Sequence, residues 1–132
     1  YQANVIAGLE FLLTAQMPSG DLSGPKQVGN QIDVRYARMY SHGIALLAIA
    51  EAYAITNDDR LRDAVTRGCT YTLQAQNPVT GGWRYDAKYT GDAGDLSQFG
   101  WQALAIQSSR RGGIQVPSYV IDKMHAFLNS VN

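Results

Sequence analysis

Two stretches of the chain, VIAGLEFLLTAQ (5–16) and VTRGCTYTLQAQ (65–76), match at an offset of 60 residues. Gly8 falls on Gly68, Phe11 on Tyr71, Ala15 on Ala75 and Gln16 on Gln76. A third stretch, IDKMHAFLNSVN (121–132), aligns with the second at an offset of 56 and places Phe127 on Tyr71. The segments between them match as well. GIALLAIAEA (43–52) and GWQALAIQSS (100–109) align at 57 through Gly43/Gly100, Leu47/Leu104, Ala48/Ala105 and Ile49/Ile106. Self-similarity at such a period marks stacked supersecondary units, each covering the apolar face of its neighbour. The unit is a helix pair of 57–60 residues, and two and a half units fill residues 1–132 as one domain.

The local signals agree. Val5, Leu9, Leu12 and Leu13 give helical spacing over about 2–16. Residues 38–55 are apolar on nearly every side, which predicts a helix buried all round. Thr56-Asn57-Asp58 ends that helix and caps a third, over about 59–76, with Leu61, Val65 and Tyr71 or Thr72 on one face. Asn77-Pro78 stops it, because proline lacks the amide donor and its predecessor avoids helical angles. A fourth helix, about 96–110, follows Asp95. Asp95 accepts from the first-turn amides and Gln98 reaches back, as in a capping box. Gly112-Gly113 ends it, and Pro117 opens a fifth that runs to about 131. No segment alternates like a strand. The fold class is all-α, about five helices in hairpin repeats. The first helix of each pair belongs to an outer layer and the more apolar second helix to an inner one. The long loops 17–37 and 77–95 both enter inner helices and belong at the same end of the molecule.

Composition narrows the partners. Eleven basic residues balance eleven acidic ones, with no basic stripe for nucleic acid. The longest apolar run, Gly43 to Ala50, is far shorter than a membrane span of about 20 residues. The single Cys69 forms no internal disulfide and fits a reducing, cytoplasmic setting. A chain that begins at Tyr1 rather than Met reads as a processed product or a piece of something longer.

The stretch RGCTYTLQAQNPVTGGW (67–83) resembles the repeat motif of squalene and terpenoid cyclases, through Arg67, Gly68, Tyr71, Gln76, Gly81 and Trp83. More narrowly, MYSHGIALLAIAEAYAITND, GGWRY and GWQALAIQSSRRGGIQVP resemble the prenyltransferase and squalene-oxidase repeat proteins of bacteria. The resemblance covers roughly residues 5–131. It implies an arc of an α–α toroid in which Gln76 caps the start of a neighbouring helix and Trp83 stacks on that glutamine. The first copy is degenerate: it keeps Gly8, Phe11 and Gln16, and puts Leu22 where the tryptophan belongs.

The residues that carry chemistry in that family are not repeated here. A catalytic Asp-x-Asp-Asp, which protonates an alkene from a coupled set of acids, does not occur, and the adjacent acids of NDDR (57–60) sit where a helix cap belongs. Cys69, His42 and His125 lack the spacing of a zinc set. No metal or cofactor is expected. What remains is the loop end. His42 stands at the mouth of an inner helix, Asp86, Asp92 and Asp95 are carboxylates, and Trp83, Tyr85, Tyr89 and Trp101 are aromatics of the kind that bind sugars. Tyr40, His42, Trp83, Tyr85, Asp92, Asp95 and Trp101 form the candidate ligand site, with the segment 84–94 facing His42.

Three functions follow as expectations. The first is a non-catalytic repeat domain that binds an apolar small molecule, a protein partner or a second copy through the open edges of its arc. The second is part of a cyclase-type enzyme whose catalytic acid lies elsewhere. The third is a carbohydrate-binding or carbohydrate-active module.

Overall fold

A computed structural model describes residues 1–24, 27–28, 31–32, 38–88 and 93–131. Five helices appear, each within two residues of its expected span. They are α1 (Gln2–Ala15), α2 (Arg38–Thr56), α3 (Asp59–Ala75), α4 (Leu96–Arg111) and α5 (Ser118–Ser130). The first long loop also holds a minimal antiparallel ladder, β1 (Gln27–Val28) with β2 (Gln31–Ile32), in which Gln27 faces Ile32 and Val28 faces Gln31. Two-residue strands are too short to display a period of two, so no alternation betrays them.

Helix ends follow local chemistry. The carboxylate of Asp58 accepts from the amide of Arg60 at 3.0 Å, and that of Asp95 accepts from Ser97 and Gln98 at 3.0 Å each. The reciprocal half of the expected capping box is not made. Gln98 is fully buried, and among the described residues neither its side-chain oxygen nor its nitrogen has a hydrogen-bond partner. Phe99, its neighbour, turns into the apolar core, which carries Gln98 inward with it.

α2 and α4 lie side by side, with α3 packed against both and α1 against α2. The core divides in two. One part joins Leu46, Ile49, Ala50 and Tyr53 of α2 to Leu61, Ala64 and Val65 of α3. The other joins Trp83, Phe99, Ile106, Val120 and Phe127. One expectation needs correction. α2 is not buried all round, since Ile44, Ala48 and Ile55 reach solvent. In α1, Leu9, Leu12 and Leu13 of the expected stripe pack half-buried against the core, and Val5 at its start is 60 % exposed.

The repeated residues make repeated contacts. The Gln16 amide donates to the carbonyls of Gly20 at 3.3 Å and Ala64 at 2.9 Å. The Gln76 amide donates to those of Gly81 at 3.0 Å and Val120 at 3.2 Å. Each glutamine therefore ties its own turn to the first half of the next outer-type helix. Gln76 reaches the start of α5 through a carbonyl rather than an amide. Arg67 adds a hydrogen bond of 2.6 Å to the Gln16 side-chain oxygen. The turn glycines have the same role in both copies. Gly20 (φ 91°) and Gly81 (φ 81°) adopt left-handed angles, and a Cβ on either would collide with a backbone carbonyl, of Arg67 or of Lys123. Gly68 admits Leu46, Leu22 and Gln16 to the α3 backbone, whereas its counterpart Gly8 faces open space.

Two substitutions separate these roles. Gly81→Ala is expected to destabilise the fold by about 2–4 kcal/mol, since it combines a disfavoured φ with a clash against immobile backbone. Gly8→Ala, in a helix with nothing nearby, is expected to stabilise by about 0.5–1 kcal/mol. Urea midpoints that move the same way for both would contradict the assignment.

Candidate functional site

The loop-end residues divide between an exposed cluster and a sealed interior. Tyr40, in the first turn of α2, hydrogen-bonds the hydroxyl of Ser97 in the first turn of α4. The Ser97 hydroxyl also donates to Asp95, whose other carboxylate oxygen accepts from Tyr85 at 3.4 Å. The rings of Tyr40 and Tyr85 stand 5.9 Å apart, and the Arg84 guanidinium lies 5.0 Å from the centre of the Tyr85 ring. The backbone helps to set this cluster, since the amide of Met39 donates to the Tyr85 carbonyl at 3.0 Å. The Ser97 hydroxyl and the amides at the helix start hold the Asp95 carboxyl below its usual range, and the Asp95 charge raises the Tyr85 phenol. The result is one ionised carboxylate among three hydroxyls.

One turn along each helix the surface becomes apolar. Ile44 is four residues beyond Tyr40 and is 46 % exposed; Trp101 is four beyond Ser97 and is 36 % exposed. Seven residues further on, Glu51 on α2 accepts from Ser108 on α4, and Arg111 adds a bond of 3.2 Å to the same carboxylate. The paired face of α2 and α4 thus has an apolar middle between two hydrogen-bonded ends.

Trp83 and His42 lie elsewhere. Trp83 is 1 % exposed, donates from its indole to the Thr72 carbonyl at 2.8 Å and leans on Phe99 at 5.8 Å. His42 is fully buried, and residues 89–92 of the segment expected to face it lie outside the described residues. Its Nδ1 accepts from the Leu22 amide at 3.1 Å, so the neutral ring carries its proton on Nε2, 2.9 Å from the Thr72 hydroxyl. Its ring packs 4.7 Å from that of Tyr71. Asp92 and Tyr89 lie outside the described residues. Asp86 is exposed, His125 is exposed, and Cys69 is buried, which raises its thiol pKa.

The residue that the sequence did not single out is Asp21. It is buried beside His42, accepts from the Ser23 amide at 2.8 Å and from Arg38 at 3.3 Å, and its carboxylate lies 3.9 Å from His42 Nδ1. Burial pushes its pKa up, but the bonds from Ser23 and Arg38 outweigh that and hold it below the usual range. Burial, with Asp21 alongside, pushes the Tyr71 phenol up to about 12. Asp21 occupies the position of Gly82 in the next copy, and that register was the one signal available.

Among the described residues, no group of three or more His, Cys, Asp or Glu side chains is placed to hold a metal. No helix among them is long and apolar enough to cross a membrane. A groove of about 430 Å³ runs between α1, the end of α2 and the start of α3, lined by Val5, Ile6, Leu9, Ile55 and Leu61 with Arg60 at its rim. No known protein family, curated protein or solved structure matches the chain.

The sealed histidine sets a pH dependence. Burial depresses its pKa from 6.5 to about 4, against the pull of Asp21. Above pH 6.5 the ring is neutral in folded and unfolded chains alike. As pH falls from 6.5 to 4, the unfolded chain takes up a proton that the folded one refuses. Stability is therefore full above pH 6.5 and is expected to fall by about 3 kcal/mol across that window. His42→Phe, which installs the residue found at the matching place in α4, is expected to flatten the profile. Urea titrations at pH 7 and pH 4.5 read both.

Proposed function

We propose that this chain is a non-catalytic binding domain of the terpenoid cyclase-like repeat type, part of a toroidal arc, and that it takes up an apolar small molecule or an apolar protein surface. The observation that carries this reading is the exposure of Ile44 and Trp101 at the same level of adjacent helices, between polar pairs that are already satisfied. Burial of such a middle is worth about 25 cal/mol per Å² of apolar surface. The nearby acids support it too, since Asp95 caps α4, Asp21 pairs with Arg38 and Glu51 pairs with Arg111. The glutamine ties of Gln16 and Gln76 support the repeat assignment.

An environment-sensitive apolar dye tests the reading. The wild type is expected to bind it with energy transfer from the exposed Trp101, and Ile44→Lys to weaken binding about tenfold, about 1.4 kcal/mol. No dye binding by the wild type, or equal binding by the variant, overturns the proposal.

A second reading, glycan binding, is favoured by the hydroxyl cluster of Tyr40, Tyr85 and Ser97 around Asp95, one turn from the Trp101 ring. Aromatic faces and fixed hydroxyls are what sugar rings require. A glycan array is then expected to give hits that disappear in Trp101→Ala with the helical circular dichroism unchanged. An array blank for the wild type removes this reading.

A further inference from the structure

In the register of the repeat, the flank of α2 that faces α4 corresponds to a flank of α4 that no helix among the described residues covers. Gln102 of α4 crosses the α2 backbone at Gly43, where a Cβ would lie 2.6 Å from its amide nitrogen, and it donates to the Met39 carbonyl at 2.8 Å. Tyr53, ten residues further along α2, packs on Gly112, the C-cap of α4. These contacts place the N-terminal halves together and the C-terminal ends together, so the two helices run parallel. Met39, Gly43 and Tyr53 are buried as a result.

Moved by 57 residues, the same three positions are Leu96, Gly100 and Arg110. Leu96 is 56 % exposed, Gly100 has no heavy atom within 4 Å of where a Cβ would sit, and Arg110 is exposed. Leu104, one turn beyond Gly100, is exposed as well. A helix interior otherwise disfavours glycine by about 1 kcal/mol relative to alanine. At Gly43 that disadvantage is offset by the close approach of a helix; at Gly100 the approach is open.

We infer that this flank of α4 docks a further α-helix from a protein partner, parallel to α4, with a carboxamide side chain crossing at Gly100. The chemistry of the partner follows from the three positions. Its N-terminal half is small and apolar where it meets Leu96 and Leu104. Its glutamine or asparagine amide donates to the Leu96 carbonyl, as Gln102 does to Met39. Its C-terminal end lies at Arg110, which makes no ion pair among the described residues. A cation at that place complements the partial negative charge on the last carbonyls of a helix. The inference rests on the reading of the chain as a binding domain, yet it uses a different flank of α4 from the Ile44–Trp101 face.

The helix known to fit such a cradle is α4, so a lactam-stapled peptide with the sequence of residues 95–113 is the probe. Its labelled form is expected to bind the full chain saturably in fluorescence anisotropy. Gly100→Leu is expected to weaken it by about tenfold or more without lowering the melting temperature, since the site is open and leucine is the better helix former. Arg110→Glu, which leaves the crossing at Gly100 intact but reverses the charge at the partner's C-terminal end, is expected to weaken it several-fold. A photo-crosslinker at the peptide's C-terminal end is expected to mark α4 near Arg110. Absence of saturable binding, indifference to both substitutions, or a crosslink near Leu96 overturns the inference. Dye binding at the Ile44–Trp101 face is read separately, so loss of one result leaves the other intact.

Discussion

The rest of the structure depends on a carboxamide held between two carbonyls. Gln76 is buried and donates to Gly81 in its own turn and to Val120 in α5, the next outer-type helix. A buried amide without partners would cost about 1–3 kcal/mol, so this one fixes the distance between turn and helix rather than merely tolerating it. The turn can come that close only because Gly81 has no side chain to meet Lys123. The consequence shows in the outer helices. α3 and α5 each receive such a tie from the glutamine that ends the preceding outer-type helix, and each buries residues along one face. α1 passes a tie on through Gln16, and its Leu9, Leu12 and Leu13 pack against the core only half-buried.

Between the ties, the two copies fill the same space with opposite chemistry. In the second, Trp83, Phe99 and Phe127 form an aromatic stack, with 5.1 Å between the two phenylalanine rings. In the first, the corresponding residues are Leu22, His42 and Tyr71. Once a histidine replaces phenylalanine, both ring nitrogens need partners, and Leu22 and Thr72 supply them. Asp21, Arg38 and Tyr71 then join the same interior. Each polar group is tolerable only because the others are present, so these residues behave as a set in a low-dielectric medium. An apolar stack would hold the fold equally well at any pH; the polar one makes half of the core sensitive to protons.

Helix existence and limits were legible in the sequence because their causes are local. Asp58 and Asp95 cap, Asn77-Pro78 and Gly112-Gly113 stop, and the offset of the repeats fixes which helices correspond. Exposure was less legible. Trp83 and Trp101 stand in one aromatic stretch and look alike, yet one is core and the other surface. The register separates them, since Trp101 matches Ile44 in the middle of a helix whereas Trp83 closes the turn after Gln76. Asp21 announces nothing by itself, for its role exists only through His42 and Arg38, which lie 21 and 17 residues away. Periodicity located the apolar stripe of α1 correctly but is silent about whether any element covers it.

The exposed face of α2 and α4 follows from this economy of partners. Polar side chains at its two ends are spent on each other, Tyr40 with Ser97 and Glu51 with Ser108, which ties the helices together at two levels. The interval between them holds Ile44 and Trp101, whose burial needs no exchange of hydrogen bonds. An apolar group that enters there gains contact area without first breaking a protein hydrogen bond. A polar one must compete with Ser97 for Tyr40 or with Arg111 for Glu51. The geometry therefore discriminates by polarity before it discriminates by shape, and it does so on helices rather than on a loop.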